Sequence, residues 1–475
     1  MTRSRRTKIV ATLGPATSDE ARIDALIAAG VDVFRLNFSH GRHEVHAANV
    51  ERIRAAATRA GRAVGILQDL QGPKIRVATF EDGAVELEEG APFVLDCAND
   101  TPGDATRVGV TYTGLCADVS AGDVLLLDDG RLALEVERTT DDAVHARVTL
   151  GGTLSNNKGI NIPGADLSTP ALTDKDVEDL EFGVTLGVDW VAMSFVRSRE
   201  DLLLARHYLA RAGSDANLMA KIEKPTAVER FQEILREVDG VMVARGDLGV
   251  ELAPERVPQV QKRLIRESIE AGKPVVTATQ MLESMIHAPT PTRAEASDVA
   301  NAIYDGTDAI MLSGETAVGD YPVEAVEMMD RIARTVEHDE GYKAAIREHV
   351  PAPDDTTADA VSHGACEMAH SLSAGLIVSF TASGTTASRV SRNRPYAPIL
   401  AITPSERSYR QLAVSWGVVP FYGDDIGSTD DMVDTSIAAI RTTGLLEPGE
   451  RFVITAGVPF GKRGSTNLIR VERFR

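Results

Sequence analysis

The feature that most constrains this chain is a repeated alternation of short apolar runs with helical segments. Eight such runs lie at residues 7–13, 33–36, 63–67, 190–195, 218–222, 240–243, 274–278 and 309–312. Short buried strands that alternate with helices are typical of a parallel sheet. Eight units are the number that closes a (β/α)8 barrel, whose active site lies at the C-terminal ends of the strands.

Two other regions have a different texture. Between the third and fourth runs, strand-like segments at 84–87, 124–127 and 143–148 are broken by Asp-Gly and Gly-Gly turns, which predicts an antiparallel, all-β insert. After a Pro/Asp-rich boundary at 350–357, shorter apolar runs again alternate with helices, which indicates a doubly wound α/β domain. We predict a barrel from residues 1–71 and 171–345, a β-rich lid at 72–170 and a C-terminal α/β domain at 346–475.

Composition excludes several classes of partner. Fifty Lys and Arg residues against 70 Asp and Glu give a net charge of −20, which disfavours binding to nucleic acid or an anionic membrane. No stretch approaches the roughly 20 apolar residues of a membrane span.

The apolar stretch near the N-terminus ends at Gly14-Pro15 and is too short for a secretion signal, so we expect a cytoplasmic protein. Cys97, Cys116 and Cys366 are far apart and form no CxxC pair, which predicts reduced thiols.

Polar side chains stand where most of the barrel strands end. They are Arg35, Asn37, Ser39 and His40, then Asp69, Lys221, Glu223, Arg245, Asp247, Thr279, Gln280, Ser313 and Glu315. Any one of them alone could be a solvated charge on a loop. The C-terminal ends of the strands lie on one rim of a barrel, so these polar residues would lie close together there. Their number on one rim predicts a site for a phosphorylated acid.

Two carboxylates and a lysine form the centre of this site. Glu223 and Asp247 follow adjacent strands, and Mg²⁺ usually takes one or two protein carboxylates. The alternative is a structural salt bridge with Lys221 or Arg245. Lys221 lies two residues before Glu223, so both face the same side of a strand. An ammonium beside a metal suits the charge that develops on a transferring phosphoryl group or an enolate. The turn at 244–249 leads into a helix, whose free amides suit an anion, although a plain Gly-rich connection is the alternative.

Six motifs occur in order: R-L-N-F-S-H-G at 35–41, Q-G-P-K-I-R at 71–76, K-I-E-K at 221–224, A-R-G-D-L-G-V-E at 244–251, A-T-Q-M-L-E-S-M at 278–285 and M-L-S-G-E-T-A at 311–317. Together they resemble the pyruvate kinase family over essentially the whole chain. The resemblance implies a TIM barrel, a small β-barrel lid inserted after strand three and a C-terminal regulatory domain. We expect the chain to lack the extra C-terminal domain of some bacterial relatives.

The resemblance implies phosphoryl transfer from phosphoenolpyruvate to ADP, giving pyruvate and ATP in glycolysis, with Mg²⁺ or Mn²⁺ as cofactor. The implied substrate-binding residues are Arg35, Lys221, Gly246, Asp247 and Thr279, of which Lys221, Arg35 and Thr279 are catalytic. The implied metal ligands are Glu223 and Asp247. The implied nucleotide contacts are Arg76, Lys158, Asn37 and His40.

One departure from the family concerns potassium. The family's monovalent-ion ligands correspond to Asn37, Ser39, Asp69 and the backbone of Leu70. Potassium-dependent members typically have glutamate where this chain has Lys74, and threonine at Leu70 and Val77. A lysine ammonium near Asp69 could supply the charge that potassium supplies elsewhere, so we hypothesise that K⁺ is not required. The alternative is a surface lysine at the lid hinge.

The resemblance also assigns an effector phosphate loop to Thr381, Ser383, Gly384, Thr385 and Thr386, facing the segment 457–465. The alternative is a strand-to-helix turn with Ser/Thr capping. Members activated by fructose 1,6-bisphosphate often carry a basic residue here, whereas Ala382 and Thr385 are neutral. We therefore expect AMP or a sugar monophosphate as effector. A homotetramer is also implied.

Two other functions compete with this one. A non-catalytic metabolite sensor would have lost some of the catalytic residues, yet all are present in the sequence. A barrel lyase or mutase acting on phosphoenolpyruvate or an oxoacid would not need a lid with Lys158 or an effector-type domain.

Overall fold

The computed structural model describes residues 5–98, 101–164, 168–348, 350–459 and 465–475. The first barrel segment comprises β1 (Lys8–Leu13), α1 (Glu20–Ala29), β2 (Val33–Asn37), α2 (His43–Ala60) and β3 (Gly65–Asp69). The lid comprises β4 (Ala84–Leu87), β5 (Pro92–Asp96), β6 (Arg107–Gly109), α3 (Leu115–Asp118), β7 (Val124–Leu127), β8 (Leu132–Thr139), β9 (Ala143–Leu150), β10 (Gly152–Ser155) and β11 (Ile160–Asn161).

The second barrel segment is longer. It comprises α4 (Asp174–Thr185), β12 (Trp190–Met193), α5 (Arg199–Arg211), β13 (Asn217–Ile222), α6 (Pro225–Glu229), α7 (Phe231–Glu237), β14 (Gly240–Ala244), α8 (Arg245–Glu251), α9 (Val257–Glu270), β15 (Val275–Ala278), α10 (Arg293–Tyr304), β16 (Ala309–Leu312), α11 (Gly314–Ala317), α12 (Pro322–His338) and α13 (Glu340–Glu348). The C-terminal domain comprises α14 (Thr357–Ser371), β17 (Leu376–Phe380), α15 (Thr385–Arg392), β18 (Ile399–Thr403), α16 (Glu406–Gln411), β19 (Val418–Tyr422), α17 (Thr429–Thr443), β20 (Arg451–Gly457) and β21 (Thr466–Arg473).

The predicted barrel is confirmed. Eight parallel strands close in the order β1-β16-β15-β14-β13-β12-β3-β2, so the lid interrupts the barrel between the neighbours β3 and β12. Side chains from all eight strands form one buried cluster, among them Val10, Trp190, Met219, Met242 and Met311. Ala413 and Val414 of the C-terminal domain belong to the same cluster, so that domain closes the end of the barrel opposite the predicted site.

The C-terminal domain also matches its prediction. Its sheet has the order β19-β18-β17-β20-β21, and α14 and α15 pack on one face while α17 packs on the other. The sequence did not reveal β21, which pairs antiparallel with β20. The fold class is thus confirmed, whereas the residue limits given for the three domains stay predictions.

The lid departs from its prediction in two ways. Its six-stranded sheet includes one parallel pair, β5 with β6, so the sheet is not purely antiparallel. The lid also has a four-residue helix, α3, so it is not all-β. The prediction of three reduced cysteines is wrong for two of them, because Cys97 and Cys116 form a disulfide, while Cys366 is free and buried. Cys97 follows β5 and Cys116 lies on α3, and both sit in the apolar core of the lid. Their spacing along the sequence could not show this proximity.

Candidate active site

Four residues from three barrel strands meet at the C-terminal rim. The Nζ atom of Lys221 lies 3.0 Å from Oε1 of Glu223 and 3.2 Å from Oδ1 of Asp69. The Nε atom of Arg35 lies 2.6 Å from Oδ2 of the same Asp69. Lys221 and Glu223 therefore share a face, as their spacing on β13 predicts. The salt bridge between them, which the sequence left as the alternative to a metal site, is also present.

Burial and charge set the ionisation of this cluster. Burial disfavours the charged forms, but Lys221 and Arg35 outweigh it at Asp69 and hold the pKa of that carboxyl below its usual value. Burial also opposes the charge of Lys221, yet Asp69 and Glu223 raise the pKa of the lysine. The site therefore holds a permanently charged ammonium at neutral pH.

The second carboxylate, Asp247, lies in α8 beside the cluster. Burial raises the pKa of Glu223, Lys221 lowers it, and the neighbouring charge of Asp247 raises it further. A buried carboxylate that is reluctant to ionise beside a second carboxylate would be stabilised by a cation, and two carboxylates suit Mg²⁺. Glu223 and Asp247 thus fit a divalent ion. This fit concerns a pair of ligands. Among the described residues there is no cluster of three or more His, Cys, Asp or Glu side chains that could hold a metal ion.

Thr279 and Gly246 come together on the neighbouring loops. The hydroxyl of Thr279 accepts the N–H of Gly246 at 2.7 Å and donates to the carbonyl of Ala278 at 2.6 Å. Thr279 has a φ of 70°, a left-handed conformation that is costly for a threonine and is common at functional sites. The start of α8 is therefore next to Thr279, as predicted, with one of its amides occupied by that hydroxyl. Arg245 pairs with Asp298 at 2.7 Å and not with the carboxylate pair.

These contacts at the barrel rim accompany close similarity to known proteins. Family models for "Pyruvate kinase, barrel domain" and "Pyruvate kinase, alpha/beta domain" match residues 4–326 and 359–472. The chain belongs to the pyruvate kinase family. It is 48% identical to a pyruvate kinase of Agrobacterium vitis over 99% of this chain and 98% of that protein. It is 46% identical to a pyruvate kinase of Geobacillus stearothermophilus over 98% of this chain and 80% of that protein.

The structural comparison agrees. A crystal structure of a pyruvate kinase from Cryptosporidium parvum superposes with a TM-score of 0.93 at 36% identity, over 99% of this chain and 97% of that one. The predicted family and enzyme class are confirmed, and the activity is phosphoryl transfer from phosphoenolpyruvate to ADP. Pyruvate kinases use a divalent metal ion, which agrees with the carboxylate pair. No helix among the described residues is long and apolar enough to cross a membrane.

Lys74, the residue of the potassium hypothesis, pairs with a carboxylate other than Asp69. Its Nζ atom lies 3.0 Å from Oδ1 of Asp247 and 3.9 Å from Oδ1 of Asp129 of the lid. Gly72, two residues earlier, has a φ of 70°, a left-handed conformation that glycine adopts readily. Asp69 pairs with Arg35 and Lys221 instead.

The other predicted monovalent-ion ligands lie where the neighbouring strands β2 and β3 end. The side-chain oxygen of Asn37 accepts the N–H of Ser39 at 3.1 Å. Leu70, which follows Asp69, offers its carbonyl to the hydroxyl of Ser194 at 2.7 Å. The N–H of Phe38 bonds to the carbonyl of Asp69 at 2.9 Å and ties the two loops together.

Two of the predicted nucleotide contacts, His40 and Arg76, are neighbours. Burial lowers the pKa of His40, and the nearby charges of Arg76 and Arg35 lower it further. Arg76 donates to the carbonyl of Asn157 at 2.9 Å. Lys158, on the same lid segment, pairs with Asp128 at 2.7 Å, so its charge is held within the lid.

The predicted effector loop precedes α15 in the C-terminal domain. Gly384 has a φ of 83°, and the hydroxyls of Ser383 and Thr385 lie 2.9 Å apart. The hydroxyl of Thr386 lies 2.8 Å from that of Thr466. Thr381 is buried beside them. The segment 457–465 was expected to face the loop, but its residues 460–464 lie outside the described residues.

Sequence reasoning missed Ser194 and Phe195, which follow β12. The hydroxyl of Ser194 accepts from Lys221 at 2.6 Å, and the N–H of Phe195 donates to Oε2 of Glu223 at 2.7 Å. The same rule of polar residues at strand ends could have found Ser194, but the apolar run 190–195 hid it. Glu315, in contrast, is a structural residue, because it accepts the backbone N–H groups of Leu282 and Ser313.

Proposed function

We propose that Lys221, Arg35 and Thr279 are the catalytic residues of this pyruvate kinase, with Glu223 and Asp247 as ligands of Mg²⁺ or Mn²⁺. The observation that carries the proposal is the buried ammonium of Lys221 at the C-terminal end of the barrel, which pairs with Asp69 and Glu223 beside Arg35. Active sites of such barrels are built at this end from several strands.

The reaction transfers a phosphoryl group from the enol oxygen of phosphoenolpyruvate to an oxygen of ADP. A terminal oxygen of ADP bonds to phosphorus, the bond from phosphorus to the enol oxygen breaks, and its electron pair stays on the enolate. Arg35 neutralises the transferring phosphoryl group, and Lys221 neutralises that group and the enolate oxygen. When bound, the divalent cation adds positive charge at the same oxygens. The enolate then gains a proton at its methylene carbon and becomes pyruvate.

The remaining residues orient the substrates. Thr279, with the backbone of Gly246 and Asp247, would hold the carboxyl group of phosphoenolpyruvate, and the contact between Thr279 and Gly246 supports this role. His40 and Asn37 of the barrel, together with Arg76 and Lys158 of the lid, would contact the nucleotide (the lid contacts depend on lid closure). A lid that closes over the site would exclude water, which otherwise takes the phosphoryl group.

A single coupled assay tests this assignment. Pyruvate formation from phosphoenolpyruvate should require both ADP and Mg²⁺, and Lys221→Met should lower kcat by about 10²–10³. Lys343→Met, which changes a surface lysine of α13, is the matched control. Binding of phosphoenolpyruvate without turnover would indicate the sensor, and consumption without ADP would indicate a lyase or mutase.

We also propose that the enzyme does not require K⁺. Lys74 supports this because its ammonium, 3.0 Å from Asp247, adds a fixed positive charge at the rim of the site. Its neighbour there is Asp247 and not Asp69, so the lysine would replace the charge of a monovalent ion and not its position. A compact ammonium is suited to that role.

Replacing K⁺ by tetramethylammonium tests this proposal. The wild-type rate should stay within about twofold, whereas Lys74→Glu should make the rate depend on K⁺ by about tenfold or more. Lys343→Glu makes the same charge change far from the site and should leave the salt response unchanged. A collapse of wild-type activity without K⁺ would contradict the proposal.

A phosphorylated effector and a homotetramer complete the proposal. The hydroxyls and the left-handed glycine of the loop 381–386 support phosphate binding. AMP or a sugar monophosphate, added at subsaturating phosphoenolpyruvate, should shift the substrate curve, and an unchanged curve for every candidate would remove this part. Sedimentation of the purified enzyme checks the tetramer. The cytoplasmic location stays a prediction.

A further inference from the structure

We infer that Ser194 is a positioning residue that holds the Lys221 ammonium in place for phosphoryl transfer. The inference rests on the role proposed for Lys221. Ser194 is 2% exposed, and its Oγ accepts a hydrogen bond from Nζ of Lys221 at 2.6 Å, which is shorter than the ion-pair distances from that ammonium to Glu223 and Asp69. The hydroxyl lies at the end of β12 and makes no ion pair.

The donors and acceptors of the cluster can be counted. An ammonium has three N–H donors. The described acceptors around Lys221 are Ser194 at 2.6 Å, Glu223 at 3.0 Å and Asp69 at 3.2 Å. The contact with Ser194 is a hydrogen bond, and the two carboxylates hold the ammonium as ion pairs. The N–H groups that Ser194 does not take can therefore turn from a carboxylate to an oxygen of the substrate.

Ser194 differs from the other two acceptors in its charge. Asp69 and Glu223 are carboxylates, which attract the ammonium strongly and offset its charge. A serine hydroxyl holds the same ammonium without offsetting the charge that the reaction uses. Lys221 can thus exchange a carboxylate for a substrate oxygen while its contact with Ser194 stays. Without that contact, the two carboxylates alone would set the position of the ammonium.

The surroundings of Ser194 fix the direction of its hydroxyl. Its single O–H donates to the carbonyl of Leu70 at 2.7 Å, the nearer acceptor, while Oδ1 of Asp69 lies at 3.4 Å, so its lone pairs are left to face Lys221. At the other end of β12, the indole N–H of Trp190 bonds to the carbonyl of Gln411 at 3.2 Å, so the strand is held at both ends. The next residue, Phe195, has a φ of 54° and directs its N–H to Glu223. Groups held in this way by packing and hydrogen bonds preorganise a site.

Substitution of Ser194 tests the inference. Ser194→Ala should lower kcat at least tenfold and leave KM for phosphoenolpyruvate within about threefold, because the lost contact positions a charge for the chemical step. Ser194→Cys keeps the shape of the side chain with a somewhat larger atom that is a weaker acceptor, so its kcat should fall between those of Ser194→Ala and the wild type. Ser268→Ala is the matched control, since Ser268 is equally buried and its hydroxyl bonds to Leu264 within α9.

A double-mutant cycle separates positioning from general packing. If Ser194 acts through Lys221, then Ser194→Ala should have no further effect on kcat in a Lys221→Met background. A kcat for Ser194→Ala within twofold of the wild type, or an equal loss in both backgrounds, would overturn the inference. If Lys221→Met itself keeps full activity, the proposed role of the lysine fails instead. Should the alanine variant not fold, the cysteine variant provides the same test in both backgrounds.

Discussion

Two buried arginine–aspartate pairs lie at opposite ends of the same barrel. At the C-terminal rim, Arg35 contacts Asp69 at 2.6 Å, and Asp69 is shared with Lys221. At the other end, Arg394 of the C-terminal domain contacts Asp308, just before β16, at 3.0 Å. The two aspartates are almost equally inaccessible to solvent, with side chains that are 1% and 6% exposed. Burial alone therefore does not distinguish them.

The two pairs differ in what surrounds them. Asp308 accepts hydrogen bonds from both terminal nitrogens of Arg394. It also accepts hydrogen bonds from the backbone N–H groups of Trp416 and Val275, so each of its carboxylate oxygens has two donors. These partners join the barrel to the C-terminal domain. Asp69, in contrast, is shared by two cations of the rim, Arg35 and Lys221, which we propose to act on the substrate. In barrels of this kind the C-terminal end carries catalysis and the opposite end carries stability.

Arg35→Met should have the largest effect and should act on activity. Removing the guanidinium should lower kcat/KM for phosphoenolpyruvate by about 10²–10³, because we propose that Arg35 neutralises the phosphoryl oxygens. Asp69 keeps Lys221 as its cation, so the urea midpoint should change little. Steady-state kinetics and urea unfolding check the two parts. A variant that unfolds early but keeps its kcat/KM would place Arg35 among the structural residues.

Arg394→Met makes the same change at the other end and should act on stability. It leaves a buried Asp308 carboxylate without its cation and removes the stacking of Arg394 on Trp416, whose centroid lies 5.0 Å away. We expect a loss of about 3–5 kcal/mol in the free energy of unfolding. The kcat at 25 °C should match that of the wild type. If kcat instead falls as it does for Arg35→Met, the division between the two ends is wrong.

The rim was predictable from the sequence because two local signals coincide there. Apolar periodicity marks where each strand ends, and the chemistry-bearing residues Arg35, Asp69, Lys221 and Asp247 stand at those ends. The barrel geometry then converts positions along the chain into proximity. The parallel order of strands follows from the same alternation.

Other contacts depend on distances that only packing sets. The pair formed by Arg394 and Asp308 joins residues of two domains, and nothing in the local pattern marks either as a partner. The same holds for the disulfide of Cys97 with Cys116 and for the contact of Lys74 with Asp247. Each requires the docking of whole elements, so local periodicity has no information on it.

Lys8 gives the smallest expected effect and the sharpest test of the end opposite the rim. Burial lowers the pKa of Lys8 from 10.5 to about 8, although Asp32 favours its charge, and Arg5 and Arg62 oppose it. Its Nζ atom donates to the carbonyl of Val418 in the C-terminal domain at 2.6 Å. The folded state thus gives up this proton at lower pH than the unfolded state.

The sign of the pH dependence follows from linkage. Between about pH 8 and 10.5 the unfolded chain binds more protons at Lys8, so this group makes stability rise with pH in that window. Below pH 8 it contributes a constant penalty. The rise should amount to at most about 3 kcal/mol and should be missing in Lys8→Met, as seen in urea unfolding from pH 7 to 10.5. Lys262→Met, on the exposed face of α9, controls for loss of a surface charge. If the free energy of unfolding changes with pH by the same slope in Lys8→Met and in the wild type, then the pKa of Lys8 is not lowered by folding. The end of the barrel opposite the rim would then not bury this lysine at a cost in stability.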